Sequence, residues 1–344
     1  MEYMGFVNLT KFKAEHYLLA DEKGSDILVF VVKATYNITA NDKIELAEEQ
    51  TDIYEAPEYY GEPGESAMKY DSEVYYMKQK ADAVLIGYAQ SPGKTKRRLD
   101  VAFRVGDVHK IIRVFGDRSW KRPFGFWKPS NPKPFDKIEL RYENAFGGMD
   151  NSHKKEKHHN YESRNPIGTG FVSKKSAKKI KEIKLPNIEN PKDLIKKPKN
   201  NPEPSGFGFL DPGWAPRIKK AGTYDDIWEK ETMPLLPDDF DQAFYNSANP
   251  ALISDDYFMG GQQVGIVNAS PSGKINFTLP EVLPEAIVKM KDGTRHQLDM
   301  NLDTVIVNTD ENKVNLIWRN HLNVYKKVHK ILWAKTQLKN GETE

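Results

Sequence analysis

The chain contains no cysteine. Disulfides, thiolate metal sites and a cysteine nucleophile are thereby excluded together. Long apolar runs are also missing. ILVFVV at residues 27–32 is the longest of note; it has strand length and is far too short to span a bilayer. The first residues, MEYMGFVNLTKFKAEHYLLADEKG, offer no basic start followed by an apolar run and no small-residue cleavage site, so no secretory signal is expected. Together these absences point to a soluble protein of a reducing cytoplasm.

Nucleophile and phosphate signatures are absent as well. No Gly-x-Ser-x-Gly elbow and no GxxxxGK[ST] phosphate loop occurs. Of the eight histidines only His153, His158 and His159 cluster. They lie in a lysine-rich loop, where cation repulsion opposes a metal, so neither metal nor cofactor is expected. The lysine-rich SKKSAKKIKEIK at 173–184 could touch phosphates, but it lacks interleaved aromatics and any nucleic-acid motif.

What is present is length, strands and polarised charge. The 344 residues can bury a sizeable core, as one large domain or two smaller ones. The net charge of +2 hides two opposed runs. Residues 45–73 carry ten acids against one base, or −9, and residues 153–199 carry fourteen bases against five acids, or +9. Such runs serve as solvated loops, or one of them docks a partner of opposite sign.

Residues 1–146 read as strands. DILVFVVKATYNI at 26–38 is a β-branched run, DAVLIGYAQ at 82–90 is a second strand, and RLDVAFRVGDVHKIIRVF forms a hairpin turning at Gly106-Asp107. KIELRYENAF from Lys137 adds another strand. Residues 147–250 are irregular and rich in Pro, Gly, Asn and Lys, with a short helix expected near 175–182 and disorder around HKKEKHHNYESR. Residues 251–344 return to hairpins, turning at Pro271-Ser272-Gly273, at Asp292-Gly293 and near Asp310-Glu311-Asn312; the tail VYKKVHKILWAKTQL reads as strand or short helix. No βα alternation appears. The expected fold is mainly β and antiparallel, with two strand-rich halves and an irregular Pro/Gly-rich centre carrying short helices, all within one domain.

Residues 221–241, AGTYDDIWEKETMPLLPDDFD, crowd carboxylates against aromatics. A glycosidase needs two acids roughly 5–10 Å apart, and Asp225 with Asp239 or Glu189 could supply them. Local structure offers a second account. Thr223 or Asp225 can cap a helix over DDIWEKE, and Asp239 with Gln242 three residues later has capping-box spacing. Phe240 and Phe244 share a face at i, i+4. Partner contact is a third account.

Nine motifs in fixed order resemble a bacterial family encoded beside type VI secretion genes: YGEPGES (60–66), RVFGDRSW (113–120), LRYENAFGG (140–148), RNPIGTGF (164–171), LPNIENP (185–191), PSGFGFLDPGWAPR (204–217), AGTYDDIW (221–228), PLLPDDFDQAFYNSA (234–248) and LDTVIVN…NLIWR (302–319). The matching positions are Asn165, Pro166, Gly168, Gly170, Leu185, Pro186, Asn187, Glu189, Gly206, Phe207, Gly208, Trp214, Arg217, Gly222, Thr223, Tyr224, Asp225, Trp228, Asp239, Phe240 and Asp241. Gln262 departs from the family, standing after Gly260-Gly261 where relatives carry an acid. The resemblance implies an effector adaptor or chaperone, a protein without turnover that binds a toxin in the cytosol through β-edges or loops and helps mount it on the secretion spike protein. On that reading the motif residues shape the scaffold or contact the partner, and no membrane or nucleic acid is engaged. The competing readings are a glycan hydrolase using the paired carboxylates and a carbohydrate-binding module built on Trp120, Trp127 and Trp214.

Overall fold

A computed structural model describes residues 5–339 except Glu22, Lys94, Ser152, His153, Glu156, His158 and Lys175. The architecture is mainly β, and most pairings are antiparallel. A seven-stranded sheet forms the centre. Its strands run in the order Ile253–Ser254, Ala81–Ile86, Asn301–Asn308, Lys313–Asn323, Asp26–Ile38 and Lys13–Ala20, with Ile44–Leu46 also paired to Asp26–Ile38. The β-branched run is an interior strand, between Lys313–Asn323 and Lys13–Ala20. Ile27 through Val32 are all essentially inaccessible, so each contributes about 1.5–3 kcal/mol of burial, and the strand is covered on both faces.

The second sheet has five strands, in the order Ile188–Glu189, Val108–Phe115, Arg98–Val105, Gln263–Val267 and Lys274–Thr278. The Gly106-Asp107 turn joins two of them as the sequence indicates, with Val105 opposite Val108 and Gly106 at φ +54°. Alternation along Arg98–Val105 sends Leu99, Val101, Phe103 and Val105 inward. A third sheet orders Gly5–Asn8, Ile331–Leu338, Pro284–Met290 and Arg295–Asp299. The tail is therefore a strand, preceded by a short 3-10 turn at Val328–Lys330.

Three expectations need correction. DAVLIGYAQ is two strands: Ala81–Ile86 joins the central sheet, whereas Tyr88–Gln90 leaves it to pair with Lys137–Glu139. The break is Gly87, at φ +148°, where a Cβ would stand 2.1 Å from Thr309 Oγ1. KIELRYENAF is not one strand: Lys137–Glu139 is followed by a 3-10 turn, Tyr142–Asn144, and Phe146 begins a separate strand, Phe146–Gly147, parallel to Thr169–Gly170. The helix expected near 175–182 is a 3-10 segment, Ser176–Glu182, broken at Lys179; among its described side chains Ile180 is the buried one. Of the segment expected to be disordered, Asn160–Tyr161 pairs with Met149–Asp150, and Glu162 binds Arg164; His153, Glu156 and His158 lie outside the described residues.

Buried ion pairs fasten the acidic run to the central sheet. Lys33 Nζ donates to Glu73 Oε1 at 2.8 Å and to the Asp52 carbonyl at 2.8 Å. Glu73 Oε2 accepts the Tyr54 N–H. Burial pushes the Lys33 ammonium down and the Glu73 carboxyl up from their ordinary values. Arg319, paired with Asp303 on the sheet, donates to the Glu73 carbonyl at 2.8 Å. Part of this run is thus structural glue and not a free solvated loop.

Candidate functional site

The motif residues converge where the irregular centre meets the sheets. Asn165 is fully buried, and its Nδ2 donates to the carbonyls of Tyr142 and Phe146 at 2.8 and 3.0 Å. Gly168 packs on the Asn165 amide so closely that a Cβ would meet Nδ2 at 2.4 Å. Pro166 directs the chain into that turn, which the Gly168 N–H closes on the Asn165 carbonyl. Tyr142 lies edge-on to Trp214 at 5.6 Å, and Gly206 leaves room for its ring. Phe207 meets Phe103 edge-on at 6.1 Å. In this way an aperiodic chain satisfies its backbone with side chains where no ladder is available.

LPNIE is built the same way. Leu185 is buried, and Asn187 Nδ2 donates to the Phe115 carbonyl while its N–H reaches the Asn144 carbonyl. Arg118 bonds both the Pro186 carbonyl and Glu189. Glu189 also accepts the Ile195 N–H at 2.7 Å, and burial raises its carboxyl although Arg118 opposes the shift. Arg217 is buried and donates to the carbonyls of Leu210 and Phe244, 3.2 Å from Asp71. Burial works against its charge, yet Asp71 and Tyr75 keep its pKa above the ordinary value.

The segment that crowds carboxylates against aromatics is a lobe held by caps. Asp225 caps the six-residue helix Asp226–Glu231, accepting the N–H groups of Ile227 and Trp228. Asp239 does not form the capping box expected with Gln242. It binds Thr223 across the loop, and Asp241 caps the 3-10 turn Gln242–Tyr245 through the Ala243 N–H. The reason is the turn at Gly222, φ +83°, which brings Thr223 to Asp239. Trp228 is the lobe's internal peg, its Nε1 donating to the Leu235 carbonyl. Phe240 and Phe244 meet at 5.7 Å, as i, i+4 spacing predicts. Tyr224 and Ile227 are 52% and 65% exposed, and the Tyr224 ring stands edge-on to Trp228 at 4.6 Å.

A cleft of about 430 Å³ opens among the same motifs, lined by Lys110, Arg164, Glu203, Ser205, Pro216 and Lys219 among others. Sequence reading missed it because its walls come from five separated segments. Burial lowers the Lys110 pKa, against the pull of Glu203. Ser205 Oγ is buried there and has no hydrogen-bond partner among the described residues. Asp225 and Asp239 are exposed and do not line this cleft. No group of three or more His, Asp or Glu side chains placed for a metal occurs among the described residues, and no described helix is long and apolar enough to cross a membrane. Trp120 and Trp214 are buried, and Trp127 packs on the cluster that holds Trp120.

Residues 23–319 match the profile of a family described as an uncharacterized protein conserved in bacteria, DUF2169, and the chain belongs to that family. No curated protein and no solved structure matches it.

Proposed function

We propose that this family member is a cytoplasmic adaptor, without turnover of its own, that holds a secreted effector and helps load it onto the type VI spike protein. The observation that carries the reading is the lobe at 221–241. Its polar motif residues Thr223, Asp225, Asp239 and Asp241 are engaged within the lobe, while Tyr224 and Ile227 stand exposed on it. A helix of six residues is too short to be stable alone. Here caps and the Trp228 peg fix it, so its apolar side chains are presented in one geometry, which keeps the ordering cost of binding low. The order of the nine motifs, which resembles that of effector adaptors, supports the same reading.

The test is the affinity of the purified protein for the toxin encoded beside it, measured by calorimetry and by secretion assay. Ile227→Asp is expected to weaken binding at least about tenfold, as for an anchor residue, with an unchanged unfolding midpoint. If the toxin is equally stable and equally secreted without this protein, the adaptor reading fails.

A further inference from the structure

A second surface of the molecule carries two strongly exposed aromatics. Trp120–Lys121 and Lys128–Pro129 pair antiparallel, with Trp120 opposite Pro129. The tip between them displays Phe124 at 98% exposure and Phe126 at 80%. Phe124 is held at φ +53°, a conformation uncommon for a residue with a side chain. Arg122 Nε donates to the Gly125 carbonyl and its guanidinium lies over Trp127, 5.6 Å from the ring centre. Below the tip, Ser130 N–H reaches the Ser119 carbonyl at 2.8 Å and Ser119 N–H reaches Ser130 Oγ at 3.0 Å. This hairpin is braced, and its two phenyl rings are nevertheless left in water.

The brace is a small core of its own. Trp120 packs with Phe146, Ile180, Leu185 and Ile195, and Trp127 and Ile183 lie against them. Ile180 and Ile183 belong to the basic run. The same core therefore brings exposed Lys181 and Lys184 to the hairpin that carries exposed Lys121 and Lys128. Rigid aromatics at a protruding tip, backed by cations, fit a concave apolar site with an acidic rim.

We propose that the Phe124–Phe126 tip is a docking anchor that inserts into an apolar pocket rimmed by carboxylates on the effector protein. This inference rests on the adaptor reading and names a contact that the reading does not require. An anionic membrane would also attract a basic aromatic tip. However, one myristoyl chain gives only marginal membrane binding, and two phenyl rings bury less apolar surface than that chain. A desolvated protein pocket needs only a few such anchors.

The experiment measures the affinity of the full-length protein for the toxin encoded beside it, comparing wild type with the Phe124→Ser/Phe126→Ser and Lys121→Glu/Lys128→Glu double variants. Circular dichroism and the unfolding midpoint check that each variant is folded. Both side-chain pairs are exposed, so both variants are expected to fold. The proposal expects at least about tenfold weaker binding for the first variant and weaker, less salt-sensitive binding for the second. Binding by the wild type that the Phe124/Phe126 change leaves intact overturns the anchor and leaves the adaptor reading standing. No binding by the wild type overturns both. Phe-dependent sedimentation with phosphatidylcholine–phosphatidylglycerol vesicles, with toxin affinity unchanged, reassigns the tip to lipid and overturns the protein pocket.

Discussion

Asp239 holds Thr223 with both carboxylate oxygens. Oδ1 accepts the Thr223 backbone N–H at 2.8 Å and Oδ2 accepts its hydroxyl at 2.8 Å. The pair closes a loop of sixteen positions around the capped helix, and these two hydrogen bonds hold the Asp239 carboxyl below its ordinary range. Because the folded carboxyl is harder to protonate than the unfolded one, its contribution is present above the unfolded pKa and is lost as pH falls through the folded one.

The neighbouring cap makes a sharper test. Asp225→Ala removes the acceptor for the Ile227 and Trp228 N–H groups and is expected to cost about 1 kcal/mol, whereas Asp225→Asn caps equally well and leaves stability unchanged. Denaturant unfolding of the two variants measures the difference. Loss of an enzymatic activity in the stable Asn variant would instead favour a hydrolase.

Glu189 neutralises Arg118 inside the protein, with both side chains buried. Glu189→Ala strands the guanidinium and leaves the Ile195 N–H without its acceptor. The expected loss is about 3–5 kcal/mol, read as a fall in the unfolding midpoint. The partially buried Arg164–Glu162 pair, with one member more open to water, is expected to give less when broken.

His321 stands edge-on to Tyr76 at 5.6 Å, and burial lowers its pKa from the ordinary 6.5, against a smaller opposing effect of a Tyr76 backbone hydrogen bond. The unfolded chain then takes up the proton more readily than the folded one. This histidine's contribution to stability therefore declines as pH drops through about 6.5. His321→Gln should show a smaller fall of the unfolding midpoint between about pH 7 and pH 5 than the wild type. An identical fall would mean that the imidazole is charged in the folded state.

Hairpins were legible in the sequence because their information is local. Val105-Gly106-Asp107-Val108 contains its own turn chemistry and its own register. The parallel pairing of Ala81–Ile86 with Asn301–Asn308 was not legible, since residues more than two hundred positions apart share it and neither carries a mark of the other. The break at Gly87 follows from the nearness of Thr309, which is again long-range. The irregular centre hid its order for a related reason. Asn165, Asn187, Arg118 and Arg217 replace the ladder with side-chain bonds, and these have no period to read. The Asp225 cap was legible in the sequence, while the partner of Asp239 was set by the fold of the loop.

The central strand Asp26–Ile38 pairs on one side with Lys13–Ala20, a local partner, and on the other with Lys313–Asn323. A ribosome delivers the first partner at once and the second almost three hundred residues later. Through that interval the most apolar strand of the protein has an open hydrogen-bonding edge. Pairing between segments this far apart raises contact order, which slows folding, and an unpaired apolar edge is a site for aggregation until the C-terminal hairpin emerges.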